Sequence, residues 1–352
     1  MIKRIRQNLK WMMITIIAPE WTLGFAAMRL EGALRSREQF KPLAAIDDIE
    51  WTLEHDFYAN MGAFAIKVKL PPQRTRSSET EGDGMDSVIF HLTSKSLLTL
   101  RQKGYIKRLP RITKEQINDR SKSDIFTKLI TATQVFSTII QVIVRRSRNL
   151  AISQLELAVT AFSVCAMIIY LLTLYQPKGV QTIEVLHSEH QDLSFEKAYE
   201  ICVAGRESSW FSEWRDKSYF LHGGVDDRIR NDWEDSRGDN ISAIGLFFGG
   251  IIFGAVHCSG WFFAFPTVQE LLLWRIASVL TTSVPIVMLG VSWFAADWDD
   301  WRRTILWYVT LVSIALYVIA RLFIMVEAFR SLFYLPYDAF ISTWADNIPH
   351  LS

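Results

Sequence analysis

Three cysteines in 352 residues are too few, and odd in number, for a disulfide framework: Cys165 and Cys258 fall in apolar stretches, Cys202 falls in a polar one, and no metal-like spacing links them. Charge imbalance is also missing. The formal net charge is only +1, which gives no global case for a nucleic-acid partner. The chain has no P-loop, no dinucleotide fingerprint and no nucleophile elbow, so the commonest enzyme classes lose their signatures. His187 and His190, in "HSEH", are expected to share a helix face but lack the glutamate that a zinc-protease motif places beside its first histidine. His55-Asp56 and His91 have no obvious nucleophile partner. The acidic runs "VDDRIRNDWED" (225–235) and "ADWDDW" (296–301) match no established metal–diphosphate spacing, and aspartates in loops commonly cap helices and make turns. We therefore expect no metal and no cofactor.

What is plentiful is apolar surface: 50% of the residues are hydrophobic and 13% aromatic, with 13 Trp and 22 Phe. A helix needs about 20 apolar residues to cross a bilayer. Runs of that kind occur at 152–175, 241–265, 276–296 and 304–325. Two weaker segments, 11–28 and 129–144, are shorter or interrupted. The N-terminal segment has the basic start of a signal peptide or anchor, but Pro19 and Glu20 break it and "AAM" is a poor cleavage cue, so a retained short span or re-entrant element is expected. The fold class read from this pattern is an all-α polytopic membrane protein. It has four secure spans, five or six with the weaker segments, together with interfacial helices and an acidic soluble insert.

The domain plan follows the composition: a membrane element over 1–30, a basic polar region with surface helices over 31–127, a helical hairpin over 128–175, an acidic insert over 176–240, a three-span bundle over 241–330 and an interfacial tail over 331–352. Residues 29–127 carry 17 Lys/Arg against 14 Asp/Glu, whereas 176–241 carry 8 against 14, so the two polar regions differ in sign. The lipid bilayer is the partner this pattern implies, with the basic surface helices available to anionic headgroups. No protein partner is indicated. Gly104 and Pro110 break a short helix from a second one, which Thr113 and Gln116 are spaced to cap. Ser194–Cys202 is expected to be helical. In 129–144 a stripe of Thr131, Gln134, Thr138 and Gln141 recurs at helical spacing and belongs against other helices.

Ionisable groups inside apolar spans are the candidate site, because they are costly in lipid and must find partners. Glu156 stands one turn into its span, with the Thr/Gln stripe, His257 or Arg321 as candidate partners. His257 is expected to hydrogen-bond between helices. Arg321 and Glu327 lie near enough to a span end to snorkel. In "GGIIFGAVHCSGW" (249–261) and the residues just before it, Gly245 and Gly249 are four apart, and so are Gly250 and Gly254. That spacing lets helix backbones approach closely.

Six stretches spread over the chain, "APEW" (18–21), "HDFYANMGAF" (55–64), "INDRSKSD" (117–124), "ISQLELAV" (152–159), "LLLWRIAS" (271–278) and "PHLS" (349–352), together resemble a large family of multi-span integral membrane proteins of filamentous fungi. Ala63 departs from the "NMGGF" expected there. The resemblance implies a fungal polytopic membrane protein, uncharacterised in activity, and leaves a role near secondary metabolism open. Two functions follow as expectations. One is a non-enzymatic transport, sensing or scaffolding component; the alternative is a membrane-embedded enzyme or accessory protein acting on a lipophilic substrate in a secondary-metabolite pathway. No duplicated hydropathy unit is present such as many carriers show, which keeps a receptor or scaffold level with a transporter.

Overall fold

In the computed structural model the described residues are 2–69, 87–119, 122–177, 180, 182–187, 193–206, 239–294 and 300–343. They are mostly helical. The helices are α1 (Ile2–Ile17), α2 (Pro19–Asp47), α3 (Leu53–Asn60), α4 (Ser94–Gln102), α5 (Lys114–Asp119), α6 (Lys122–Ser147), α7 (Gln154–Leu172), α8 (Phe195–Arg206), α9 (Asp239–Cys258), α10 (Val268–Phe294) and α11 (Asp300–Arg330). Three strands interrupt them: β1 (Phe64–Lys69), β2 (Ser87–Leu92) and β3 (Glu184–His187). The all-α expectation is thus corrected. "FAIKVK" and "SVIFHL" are short runs of β-branched and aromatic residues, too brief for helices, and each buries part of its length. His187 closes β3 instead of sharing a helix face with His190, which lies outside the described residues.

The chain divides into two units, and neither is continuous in sequence: residues 1–27, 127–172 and 240–352 form one, residues 28–126 and 173–239 the other. The basic region and the acidic insert, separate in the composition-based plan, therefore belong to a single unit.

Among the described residues of the first unit three helices are long and apolar enough to cross a membrane: Gln154–Leu172, Val268–Met288 and Thr304–Tyr334, the last including the 3-10 turn that follows α11. Only 33%, 28% and 22% of their most apolar stretches is buried against protein. On α11 the side chains of Ile305, Trp307, Val312, Ile319 and Val326 all point outward. An apolar surface of that extent is matched to lipid tails and not to water.

The fourth span, expected at 241–265, is shorter than its composition promised. α9 stops at Cys258 instead of running on to 265, and among its described side chains the apolar part is Ile244–Cys258, about 22 Å of helix against a hydrocarbon core of about 30 Å. Beyond it, turns over 259–263 and the capped start of α10 redirect the chain: Thr267 N–H donates to Glu270 Oε2 (3.2 Å) and Glu270 N–H to Thr267 Oγ1 (3.3 Å). The N-terminal segment is broken as well. Leu9–Ile17 and the helix from Pro19 pass the length and composition test together but are bent by 109°. Pro19 has no N–H to continue α1 and its fixed φ suits the first position of a new helix, so the break falls where the sequence places proline.

The second unit builds an aqueous-type core around the sheet, whose order is β2-β1-β3, with β1 antiparallel to β2 and parallel to β3. Phe64 and Ile66 on β1, Leu92 on β2, Leu97 and Leu100 on α4 and Ile117 on α5 are buried together with Phe40, Trp51 and Tyr58. Gly62 turns α3 into β1 with φ +78°, and it is the position there that needs glycine; Ala63 is fully buried in ordinary backbone. The predicted cap at α5 is present, Gln116 N–H donating to Thr113 Oγ1 (3.2 Å) and Thr113 N–H to Gln116 Oε1 (3.0 Å).

Buried polar groups in this unit are nearly all consumed by structure. Asp47 accepts both Arg101 Nε (2.9 Å) and Nη2 (2.6 Å) as well as the Leu109 N–H (2.8 Å), which fastens the end of α2 to α4 and the loop after it. His55 takes the Thr52 N–H on Nδ1 (3.1 Å) and donates Nε2–H to the Ile112 carbonyl (2.8 Å), and burial lowers its pKa. His91 hydrogen-bonds the Gly62 carbonyl. His55 Nδ1 also lies 2.8 Å from the Thr52 hydroxyl, so the ring closes the capped start of α3, and the His91 bond braces the turn at Gly62.

Asp56 is tied less completely. It is fully buried, with Oδ1 accepting the Ser36 hydroxyl at 2.8 Å. Burial pushes its carboxyl up to about 7, against the opposing pull of Ser36, Trp51 and Arg37. Between the ordinary aspartate range near 3.8 and about 7, the folded protein holds a proton that the unfolded chain has released, so stability falls as pH rises through this window. Asp56→Asn removes that proton. Thermal unfolding of wild type and variant at pH 5 and pH 8 should therefore show the difference shifting toward the variant at pH 8, by at most ~1.4 kcal/mol per pH unit; an offset that does not change with pH would contradict the assignment.

Candidate functional site

The two glycine pairs of α9 face two different helices. A Cβ on Gly245 would lie 2.9 Å from the Gly24 Cα, and one on Gly249 would lie 2.8 Å from the Glu20 Cβ, so this pair packs against the start of α2. On the other face a Cβ on Gly250 would meet Pro285 at 3.0 Å, and one on Gly254 would lie 2.8 Å from the Thr282 Cα, so that pair packs against α10. Such approach is available only without side chains, and it gives two backbones the close packing that drives association in lipid.

That packing brings α2 and α9 against α7 and α11 around one cation. Arg321, on α11, is nearly fully buried, so it does not snorkel. Its Nε donates to the Ile17 carbonyl at 2.7 Å, one of the carbonyls that the break at Pro19 leaves without a helical partner. Its Nη2 stands 3.6 Å from Glu20 Oε2. Glu20 lies in the first turn of α2, where the helix dipole favours an anion, and its other oxygen accepts the hydroxyl of Tyr317, one turn before Arg321. The guanidinium carbon sits 3.6 Å from the centre of the Phe253 ring, 5.8 Å from Tyr317 and 6.0 Å from Phe162, an aromatic cage in which cation–π attraction is strong because water is excluded.

His257 shares this site. Its ring stacks on Phe253 at 4.4 Å and lies 6.0 Å from Trp274. The Nδ1 hydrogen bond goes to the Phe253 carbonyl one turn back in its own helix (2.8 Å), not to a neighbouring helix. His257 Nε2, Trp274 Nε1 and Ser278 Oγ are buried without a hydrogen-bond partner among the described residues. Among the described residues the bundle centre therefore contains an ion pair whose facing atoms, Glu20 Oε2 and Arg321 Nη2, make no hydrogen bond and, next to it, three further polar atoms with unused bonding capacity.

Glu156 belongs elsewhere. Ser153 N–H donates to its Oε2 at 2.8 Å and Glu156 N–H donates to Ser153 Oγ at 3.0 Å, which is a capping box at the start of α7. Its ion-pair partner is Arg145, 3.6 Å away at the end of α6; neither His257 nor Arg321 is bonded to it. The three sequence candidates are thus split: His257 and Arg321 meet at Phe253, whereas Glu156 fastens the α6–α7 hairpin. Glu327, also buried, stands 3.5 Å from Arg330.

Two residues that carry these sites were not singled out from the sequence. Glu20 was visible only as an interruption of an apolar stretch, although a carboxylate directly after a proline break is what a helix N-terminus attracts. Arg145 is one of three arginines in "RRSRN". It is buried, and donates to the carbonyls of Ala151 (2.9 Å), Asp338 (3.2 Å), Ala339 (2.7 Å) and Ile341 (3.1 Å), joining the hairpin to the segment after α11. Among the described residues no group of three His, Cys, Asp or Glu is arranged to hold a metal. The acidic run at 225–235 and residues 296–299 of the second run lie outside the described residues.

Residues 2–204 match the family of unknown function DUF8562. The chain belongs to that family. The DUF8562 match takes in the break at Pro19, Glu20, the Arg145–Glu156 hairpin and the sheet of the second unit, while His257 and Arg321 stand in the residues that follow it. No curated protein and no solved structure matches the chain.

The arrangement ranks the charged residues. Arg145→Met strips the partner from several part-buried carbonyls and from Glu156, and should cost about 3–5 kcal/mol. Glu156→Gln keeps an acceptor for the Ser153 N–H and should cost about 1 kcal/mol or less. Thermal unfolding of both variants in detergent checks this order, and equal losses would contradict it.

Proposed function

We propose that this DUF8562 protein is a non-enzymatic, multi-pass integral membrane protein of the transport type, in which the broken element α1–α2 is the moving part and the Arg321–Glu20 pair is its latch. The observation that carries the reading is the helix break itself: a freed carbonyl at Ile17, a carboxylate at the next helix start and a buried arginine that engages both. In lipid, interrupted backbone is tolerated only where protein or a polar cavity satisfies it, and broken helices with charged partners at their ends are the parts that rearrange in carriers. In this reading α9 and the broken pair enter the bilayer beside the three long helices, giving five or six membrane elements.

The cargo class this reading favours is a small lipophilic metabolite, given how apolar and aromatic the bundle is. The test is a metabolite and lipid profile of cells and medium, measured separately, for a parent strain, a deletion strain and a strain carrying Glu20→Gln. The expected result is that the same compounds persist but shift between cells and medium in both altered strains, with the variant still present in membranes. Loss of a compound with accumulation of its precursor would overturn the reading in favour of an enzyme on a lipophilic substrate. No change in either compartment would favour sensing or scaffolding.

A further inference from the structure

A cleft of about 290 Å³ lies where the α6–α7 turn, the loop between α9 and α10 and the segment after α11 come together. Its walls include Arg146, Gln154, Phe262, Tyr334 and Asp338. Three features of its construction point to a ligand. It is pre-formed: buried Arg145 holds the carbonyls of Ala151, Asp338, Ala339 and Ile341, and Gln154 Nε2 donates to the Ala264 carbonyl at 2.9 Å, so both sides are tied down. It presents one cation and one anion, Arg146 and Asp338, both exposed and neither with a side-chain partner among the described residues. It also sits at one end of the bundle, where α7 and α10 begin and α11 ends, beside outward aromatics: Phe262 is 88% exposed and Tyr334 63%. Aromatic side chains at the ends of spans mark the headgroup level of a bilayer.

We propose that this cleft holds the headgroup of a zwitterionic phospholipid, with the phosphate against Arg146 and the ammonium against Asp338. The inference rests on the membrane reading of the apolar helices but not on transport. A purely anionic headgroup would place its charge beside Asp338, whereas a zwitterionic one matches both side chains. The volume falls at the small end of ligand sites, suited to a headgroup whose acyl chains run out along the helices. Phe262 and Tyr334 then cover the glycerol region.

The test uses the full chain, delipidated in detergent, with bound lipid counted by native mass spectrometry. Phosphatidylethanolamine, phosphatidylglycerol and soluble glycerophosphoethanolamine are added in separate arms. The expected result is retention of one phosphatidylethanolamine, reduced about threefold or more by Arg146→Gln and by Asp338→Asn. Asp338→Asn should leave phosphatidylglycerol retention equal or higher. Because both side chains are exposed and unpaired, the ligand-free variants should unfold at the wild-type temperature. Phosphatidylethanolamine retention that neither substitution changes, equal or tighter binding of phosphatidylglycerol by the wild type, or equal binding of the soluble headgroup would each overturn the proposal. Chemical shielding of Arg146 in the absence of added lipid, by the chain's own C-terminal residues, would overturn it as well.

Discussion

A cation buried among apolar helices must be surrounded, because in hydrocarbon neither water nor lipid can satisfy it. Arg321 meets that demand with groups from five helices: the Ile17 carbonyl on α1 and Glu20 on α2 at the break between them, Phe253 on α9, Phe162 on α7 and Tyr317 on its own helix α11. Each of these positions depends on another feature of the sequence. Pro19 frees the carbonyl, the small face of Gly245 and Gly249 brings α9 against Glu20, and the one-turn spacing of Tyr317 and Arg321 places hydroxyl and guanidinium on one carboxylate. A buried pair gains little net stability over apolar packing, yet losing one partner is costly, so such a pair fixes which arrangement of helices is allowed.

The second unit obeys the rules of water-soluble cores. There the buried charges are tied by dense, short-range hydrogen bonds, as at Asp47 with Arg101 and the Leu109 N–H, and the aromatic residues Phe40, Trp51, Tyr58 and Phe64 fill the space around a small sheet. Asp56 combines complete burial with a hydroxyl partner, and burial pushes its carboxyl up to about 7, where its protonation follows pH near neutrality. The lipid-matched and aqueous-type units of one chain therefore solve the same problem, the burial of charge, by different means: aromatic faces and freed helix ends in the bundle, side-chain forks and backbone amides in the sheet unit.

Apolar length was legible, since three of the four long runs are helices able to cross a membrane. The fourth run is a helix that ends earlier than the run itself, because a hydropathy run does not see a helix stop: the run 241–265 contains Ser259-Gly260 and ends before Pro266, and the helix ends at Cys258. Glu156 shows a related limit. Thr113 and Gln116 were read as a capping pair, but the identical spacing of Ser153 and Glu156 was passed over because the glutamate adjoins an apolar stretch and its charge outweighed its position. The strands escaped because β1 and β3 are parallel neighbours more than a hundred residues apart, a pairing that no local pattern encodes. The partner of Arg321 escaped for the same reason, lying roughly three hundred residues away in a segment whose most visible property was its interruption.

The central claim is that Glu20 and Arg321 act as one unit. A double-mutant cycle tests it most directly, with Glu20→Gln, Arg321→Met and the double variant unfolded thermally in the same detergent. If the claim holds, each single variant loses stability and the double variant loses less than the sum, with a coupling of about 1–3 kcal/mol. Losses that simply add would mean that the two side chains are buried near each other without depending on each other, and the latch would have to be abandoned.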